Sequence, residues 1–162
     1  MRHQKFHLLF MIESSSQFYV MKMTHFLKAI EHAEVPHGIF ISSTSVYGDA
    51  QGIVTEKDIP KPENEAGRQL LQTEQLFFTS TCKTSIVRFG GLTGGSRQPA
   101  RYLAGRKELR GGTAPVNLID RIDCIGILTT ILQQEAYGHM FNAVHPSHPL
   151  KQDYYTKKAT EL

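Results

Sequence analysis

Apolar residues along the chain fall into two alternating patterns. Tyr19, Val20, Met23, Phe26, Leu27 and Ile30 recur at steps of three and four, the spacing of one helix face. This predicts a helix from about Gln17 to Ala33. It must stop before Val35-Pro36, because a residue preceding proline avoids helical angles. Upstream, His7-Leu-Leu-Phe-Met-Ile12 is a continuous apolar run, as in a parallel strand covered on both faces. Gly38-Ile-Phe-Ile41 repeats that pattern. Residues 48–65 carry glycine, Pro60, Pro62 and mixed charge, and read as a loop. A second helix is expected over about Ala66 to Thr79, with Leu70, Leu71, Phe77 and Phe78 on one side. Thr84 to Phe89 reads as a third strand and Gly90-Gly-Leu-Thr-Gly-Gly95 as a glycine-rich loop. Residues 97–117 read as irregular, with one short helix around Tyr102. Ile122, Ile125, Leu128, Ile131 and Leu132 mark another amphipathic helix. His139 to Val144 reads as a strand, and Leu150 to Leu162 as a closing helix.

Strands alternating with helices predict an α/β fold, a partial Rossmann-like doubly wound sheet of about four parallel strands. The 162 residues fit a single domain, 1–162, and 40% hydrophobic with 20% charged residues excludes wholesale disorder. No apolar run nears the roughly 20 residues of a membrane helix. The start, MRHQKFHLLFMIESSS, shows no small-residue cleavage site. Cys82 and Cys124 lack a pairing pattern, which fits a reducing compartment such as the cytoplasm. A net charge of +3 at pH 7 without Lys/Arg runs predicts no nucleic-acid face.

Candidate chemistry begins at Ile41-Ser-Ser-Thr-Ser-Val-Tyr-Gly48, where a strand ends. Open α/β sheets bind ligands beyond the carboxyl ends of their strands. Hydroxyls there either bond a ligand or satisfy backbone groups of the strand terminus, and both readings stay open on this segment alone. Further along stand Val54-Thr-Glu56, Pro60, Pro62, Glu74 within a helix, and Ile86-Val-Arg-Phe-Gly-Gly-Leu-Thr-Gly94. Together these resemble the extended short-chain dehydrogenase/reductases, the NAD(P)-dependent epimerases and dehydratases of nucleotide sugars. Pro115-Val-Asn-Leu-Ile-Asp-Arg-Ile-Asp123 is similar to that family's substrate-side segment. Phe141-Asn-Ala-Val-His-Pro146 with Tyr154-Tyr155 resembles its atypical YeeZ-like branch.

The resemblance spans Gln17 to Leu162. It implies NAD or NADP as cofactor and a nucleotide-sugar-like small molecule as ligand. Ser43 falls on the family's catalytic Ser/Thr position. Ser42, Phe89, Gly90 and Gly91 fall on the cofactor side, Arg97 and Asn117 on the substrate side. By the same resemblance the chain begins at the family's fourth strand, an N-terminally truncated, C-terminal part of the extended domain. Its first strand, His7 to Ile12, would then lie at a sheet edge and offer a template for a homo-oligomer.

Two family features are missing. The first is the glycine-rich turn that brings backbone to the pyrophosphate at a helix N-terminus. Gly90 to Gly95 does not supply it, since Ser96-Arg97 and Pro99 follow rather than a helix start, and no Gly-Lys-Ser/Thr follows as in a P-loop. The second is the Tyr-x-x-x-Lys pair, in which lysine lowers the tyrosine pKa so that the phenol moves a proton during hydride transfer. Anchored on Glu74, those positions fall on Ala66 and Leu70. Ser43 alone can orient a ligand but cannot complete the proton path. Tyr154 and Lys158 have the spacing but follow the last strand, and read as a helix surface pair. The expectation is an epimerase/dehydratase-like protein that is catalytically impaired as this chain and binds NAD(P) weakly or not at all. The alternative is a non-catalytic ligand-binding or regulatory module, or a truncated remnant.

Other candidates are weaker. Arg88 either forms a salt bridge, bonds loop carbonyls or meets a ligand. Arg97, Arg101, Arg106, Lys107 and Arg110 form a basic cluster that either meets substrate phosphates or is a solvated edge. His3 and His7 are four apart, but His7 opens the first expected strand, where that spacing does not converge. His145 and His148 flank Pro146 without a third ligand, so no metal is expected.

Overall fold

The computed structural model describes residues 7–10, 18–97 and 111–160. The elements are β1 (His7–Phe10), α1 (Tyr19–His32), β2 (His37–Ser43), α2 (Glu65–Phe78), β3 (Lys83–Phe89), β4 (Gly91–Thr93), β5 (Leu118–Asp120), α3 (Arg121–Gln133), β6 (Met140–Ala143) and α4 (Lys151–Thr160). Strands β1, β2, β3 and β6 form a four-stranded parallel sheet in that order. This is the expected α/β architecture, with β1 and β6 as its edges. The loop from 48 to 64 contains a short 3-10 turn at Asp49–Gln51.

Side chains of β2 and β3 alternate between two cores. Phe40 and Ile86 face α1 and α2, joining Tyr19, Met23, Leu27, Ile30, Leu70 and Phe77. Ile39, Val87 and Phe89 face the opposite way and join Ile119, Cys124, Ile131 and Tyr137 around α3. Period-2 alternation thus sorts one apolar run into two buried layers. Local chemistry fixes the helix ends. The Asn64 side chain accepts a hydrogen bond from Gly67 N at 2.8 Å to open α2, and Asp120 does the same for Ile122 N at 2.8 Å to open α3. α1 ends at His32 and is capped by Ala33, followed by Glu34 at φ 52 and then Pro36.

Three expectations need correction. Gly91–Thr93 reads as loop and Leu118–Asp120 as no element, yet they pair in parallel as a second, two-stranded sheet. Three-residue strands are too short to show a period. Phe78, expected on one side of α2 with Leu70, Leu71 and Phe77, is 41% exposed. On α3, Cys124 and Ile131 are buried, whereas Ile122 and Ile125 face solvent. The helix is apolar nearly all round, so its pattern does not say which side packs. The basic positions 101, 106, 107 and 110, the helix expected near Tyr102 and the strand residues 11 and 12 lie outside the described residues.

Phe77 is fully buried and stacks on Phe40 with ring centroids 5.1 Å apart. Phe77→Ala leaves a ring-sized void between α2 and the sheet. It should lower stability by about 3–5 kcal/mol in urea unfolding.

Candidate functional site at the carboxyl edge of the sheet

Because β2, β3 and β6 run parallel, their carboxyl ends meet at one edge. The register sets Ser42 beside Arg88 and Arg88 beside Asn142, then Ser43 beside Phe89 and Phe89 beside Ala143. Neighbouring residues on a strand face opposite ways. Ser42 and Arg88 therefore turn toward α2, and Phe89 turns toward α3.

On the α2 side the edge rests on a buried ion pair. Arg88 and Glu74 have side-chain exposures of 1% and 0%. Arg88 Nη2 donates to Glu74 Oε2 at 2.6 Å and Nε donates to Oε1 at 3.0 Å, a bidentate fork. Ser42 Oγ donates to Glu74 Oε1 at 2.5 Å. Burial opposes the charge on Arg88, but the Glu74 carboxylate outweighs it, with help from Tyr47, and holds the guanidinium above its ordinary pKa. Arg88 Nη1 donates to Tyr47 Oη at 2.6 Å, and the guanidinium carbon lies 5.0 Å from the Tyr47 ring centroid. Tyr47 Oη donates to Thr55 O at 3.1 Å and accepts from Asn142 Nδ2 at 3.1 Å. Glu56 Oε1 accepts from the Asn142 backbone N–H at 2.7 Å, which satisfies a donor on edge strand β6. One chain of bonds thus ties α2, β2, β3, β6 and the 48–64 loop together.

The other side of the edge is more open. Ser43 is half-buried, and its Oγ accepts from Ser45 N at 3.2 Å. Thr44 Oγ1 accepts from Nδ2 of the exposed Asn117 at 2.9 Å and lies 3.5 Å from Phe89 O. Ser43, Thr44 and Asn117 form the polar set that can reach a ligand.

The remaining cofactor-side candidates are committed to the fold. Ser42 is 6% exposed and spends its hydroxyl on Glu74, so its side chain does not face a ligand. Phe89 is 4% exposed with its ring in the α3 core. A Cβ on buried Gly90 would stand 3.0 Å from Asn117 O, and Gly91 N donates to Asn117 O at 2.8 Å. These glycines let β4 approach β5. Gly94, at φ +100, has the Asp120 carboxylate where a Cβ would stand, and Gly95, at φ +59, lies under the Arg121 guanidinium. The glycine run is filled by its own neighbours and is not a phosphate cradle. Exposed Arg97 closes the turn through backbone bonds to Gly94.

Ala66 and Leu70, where the family resemblance places the proton-transfer pair, carry neither a phenol nor an amine. Ala66 is exposed in the first turn of α2, and Leu70, 6% exposed, lies in the core. Tyr154 and Lys158 lie on α4, away from this edge in the chain, and Tyr154 packs edge-on against Tyr155. Among the described residues no three His, Cys, Asp or Glu side chains could hold a metal ion. No helix among them is long and apolar enough to cross a membrane.

Sequence reasoning missed Tyr47, Asn142 and Glu56 as members of one network. Only Glu74 and Arg88 are marked in the sequence, as positions within the family resemblance.

No family model matches the chain. It is 37% identical over 147 residues to Protein YeeZ of Escherichia coli K12, a match covering 90% of this chain and 53% of YeeZ. Over that stretch the chain is similar to YeeZ. It spans about half the length of that relative. Solved structures share its fold. A dTDP-glucose 4,6-dehydratase from Bacillus anthracis superposes with TM-score 0.80 at 14% identity, covering 95% of this chain and 56% of that one. RMD from Pseudomonas aeruginosa, complexed with NADPH, gives 0.78 at 16% identity, covering 96% and 66%. A UDP-glucuronic acid 4-epimerase from Bacillus cereus, in complex with UDP-glucuronic acid and NAD, gives 0.74 at 22% identity, covering 88% and 51%. The chain shares the fold of the matched part of these epimerase and dehydratase structures.

Removing one partner of the buried pair strands the other. Glu74→Gln or Arg88→Met should each cost about 3–5 kcal/mol in urea unfolding, while the double variant Glu74→Leu/Arg88→Met should cost less than the two single losses added. A second prediction concerns Tyr19, 1% exposed, whose hydroxyl has no hydrogen-bond partner among the described residues. Burial, then the Glu74 charge, pushes its phenol up to about 12. The unfolded phenol ionises first, so this group's stability contribution is intact below pH 10 and is lost as pH rises toward 12. Tyr19→Phe removes the unpaired hydroxyl. It should be neutral or stabilising by about 1 kcal/mol, and its stability should fall less steeply above pH 10.

Proposed function

We propose that this chain is an NAD(P)-dependent epimerase/dehydratase-like protein that, by itself, orients a nucleotide-sugar-like ligand without carrying out the redox step. The observation that carries this reading is the burial of Leu70 and the apolar Ala66 beside an otherwise formed carboxyl edge. Ser43, Thr44 and Asn117 offer a hydroxyl pair and an amide to a sugar or ribose. Neither an alanine nor a leucine can move the proton that a hydride transfer requires.

NAD or NADP is the cofactor of this reading, since structures of the same fold hold NAD or NADPH. The residues present do not fit its pyrophosphate. The glycine run lies against Asn117, Asp120 and Arg121, and no strand among the described residues enters a helix through a glycine-rich turn. Arg97 and Asn117 remain the substrate-side residues. The two free cysteines, both buried, support a cytoplasmic setting. A non-catalytic regulatory module is the second reading, favoured by the same missing pair.

Titration calorimetry tests the proposal. NAD and NADP should bind no tighter than about 1 mM, roughly 4 kcal/mol. UDP-glucuronic acid should shift amide resonances of Ser43, Thr44 and Asn117. Micromolar NAD(P) affinity, or NADH formation from a UDP-sugar, contradicts it.

A further inference from the structure

Strand β6 forms one side of the parallel sheet, and among the described residues no strand lies beyond it. Its backbone groups alternate in direction. Ile86 N donates to His139 O at 2.9 Å and Gly90 N to Ala143 O at 3.1 Å, so the odd-numbered positions bond β3. Met140 and Asn142 therefore turn their N–H and C=O groups outward. Such an outward row is a template for another strand. Here it is stopped at its centre, where Glu56 Oε1 accepts from Asn142 N at 2.7 Å. The carboxylate comes from an exposed turn that is closed by its own bonds. Asp58 Oδ2 accepts from Thr55 N at 2.7 Å and from Thr55 Oγ1 at 2.8 Å. Asp58 N donates to Thr55 O at 3.1 Å, and Tyr47 Oη donates to that same oxygen at 3.1 Å. Thr55 is thus clamped from both sides, and Glu56 beside it is held at the strand.

We propose that Glu56 is a plug that keeps the β6 edge from pairing, and that the strand it masks fits β6 of a second copy of the chain, antiparallel about Asn142. The backbone selects that occupant. In an antiparallel pair, facing residues at alternate positions exchange both of their N–H···O=C bonds. Asn142 carries both groups outward, so it can face Asn142 of another copy across a two-fold axis, with Met140 facing Val144. On the α3 side the strand borders an open groove of about 750 Å³ lined by Ile131, Phe141 and Val144, so a neighbouring strand has room. The plug acts on the centre of that arrangement. Each copy's Glu56 takes one Asn142 N–H, so both central bonds are lost at once. The two carboxylates would also meet near the axis, and like charges facing each other across strands repel.

Amide exchange and sedimentation velocity on the full chain test the plug. Glu56 is exposed in a loop, so its variants should keep the fold. Glu56→Ala leaves Asn142 N without its acceptor, and in dilute solution that amide should exchange roughly tenfold faster. Glu56→Gln keeps an acceptor oxygen and should stay near the unmodified rate. At high concentration Glu56→Ala should sediment with twice the mass of the unmodified chain. Its Asn142 amide should then become slow again, while the β1 amides do not change. Equal Asn142 exchange in Glu56→Ala and the unmodified chain overturns the proposal. So does a Glu56→Ala chain that never exceeds the unmodified mass, or one whose doubling slows the β1 amides instead of Asn142.

Discussion

The carboxyl edge of this sheet depends on a buried pair of charges. Glu74 comes from α2 and Arg88 from β3, and neither is exposed to water. A lone charge in that position would be severely destabilising. The two together, with Ser42 and Tyr47 taking up their remaining hydrogen-bonding capacity, form a polar core at the end of an apolar sheet. Each partner needs the other, so α2 cannot shift along the sheet without breaking the pair. The positions of Ser43 and Thr44, one and two residues beyond Ser42, follow from that constraint.

The same constraint separates structure from chemistry at the edge. Residues facing α2 hold the scaffold, and those beyond it hold the polar groups left for a ligand. Glycines that resemble a binding loop instead let β4 lie close to β5 and let the chain pass beneath Asp120 and Arg121. At this edge the positions Ala66 and Leu70 supply neither a phenol nor an ammonium.

Much of the fold was legible. Apolar steps of three and four marked α1 and α2, and continuous apolar runs marked β2 and β3 within a residue or two of their ends. The site was less so, for specific reasons. Ser42 and Ser43 are adjacent and chemically identical, and only the strand's phase relative to α2 decides which one turns inward. Phe89 and Gly90 sit where family resemblance places a cofactor, but the resemblance does not reveal that the ring enters the α3 core. Tyr47, Asn142 and Glu56 are far apart in sequence, and nothing local marks them as neighbours. α3 was found as a helix but not oriented, because apolar residues surround it.

The most direct measurement is hydrogen exchange at the Arg88 side chain, followed through its Nε–H resonance by NMR. If the Glu74 pair fixes the edge, that proton should exchange as slowly as the core amides of β2 and β3, since its release requires the edge to open. An Arg88 Nε–H that exchanges as fast as that of the exposed Arg97 would contradict the account.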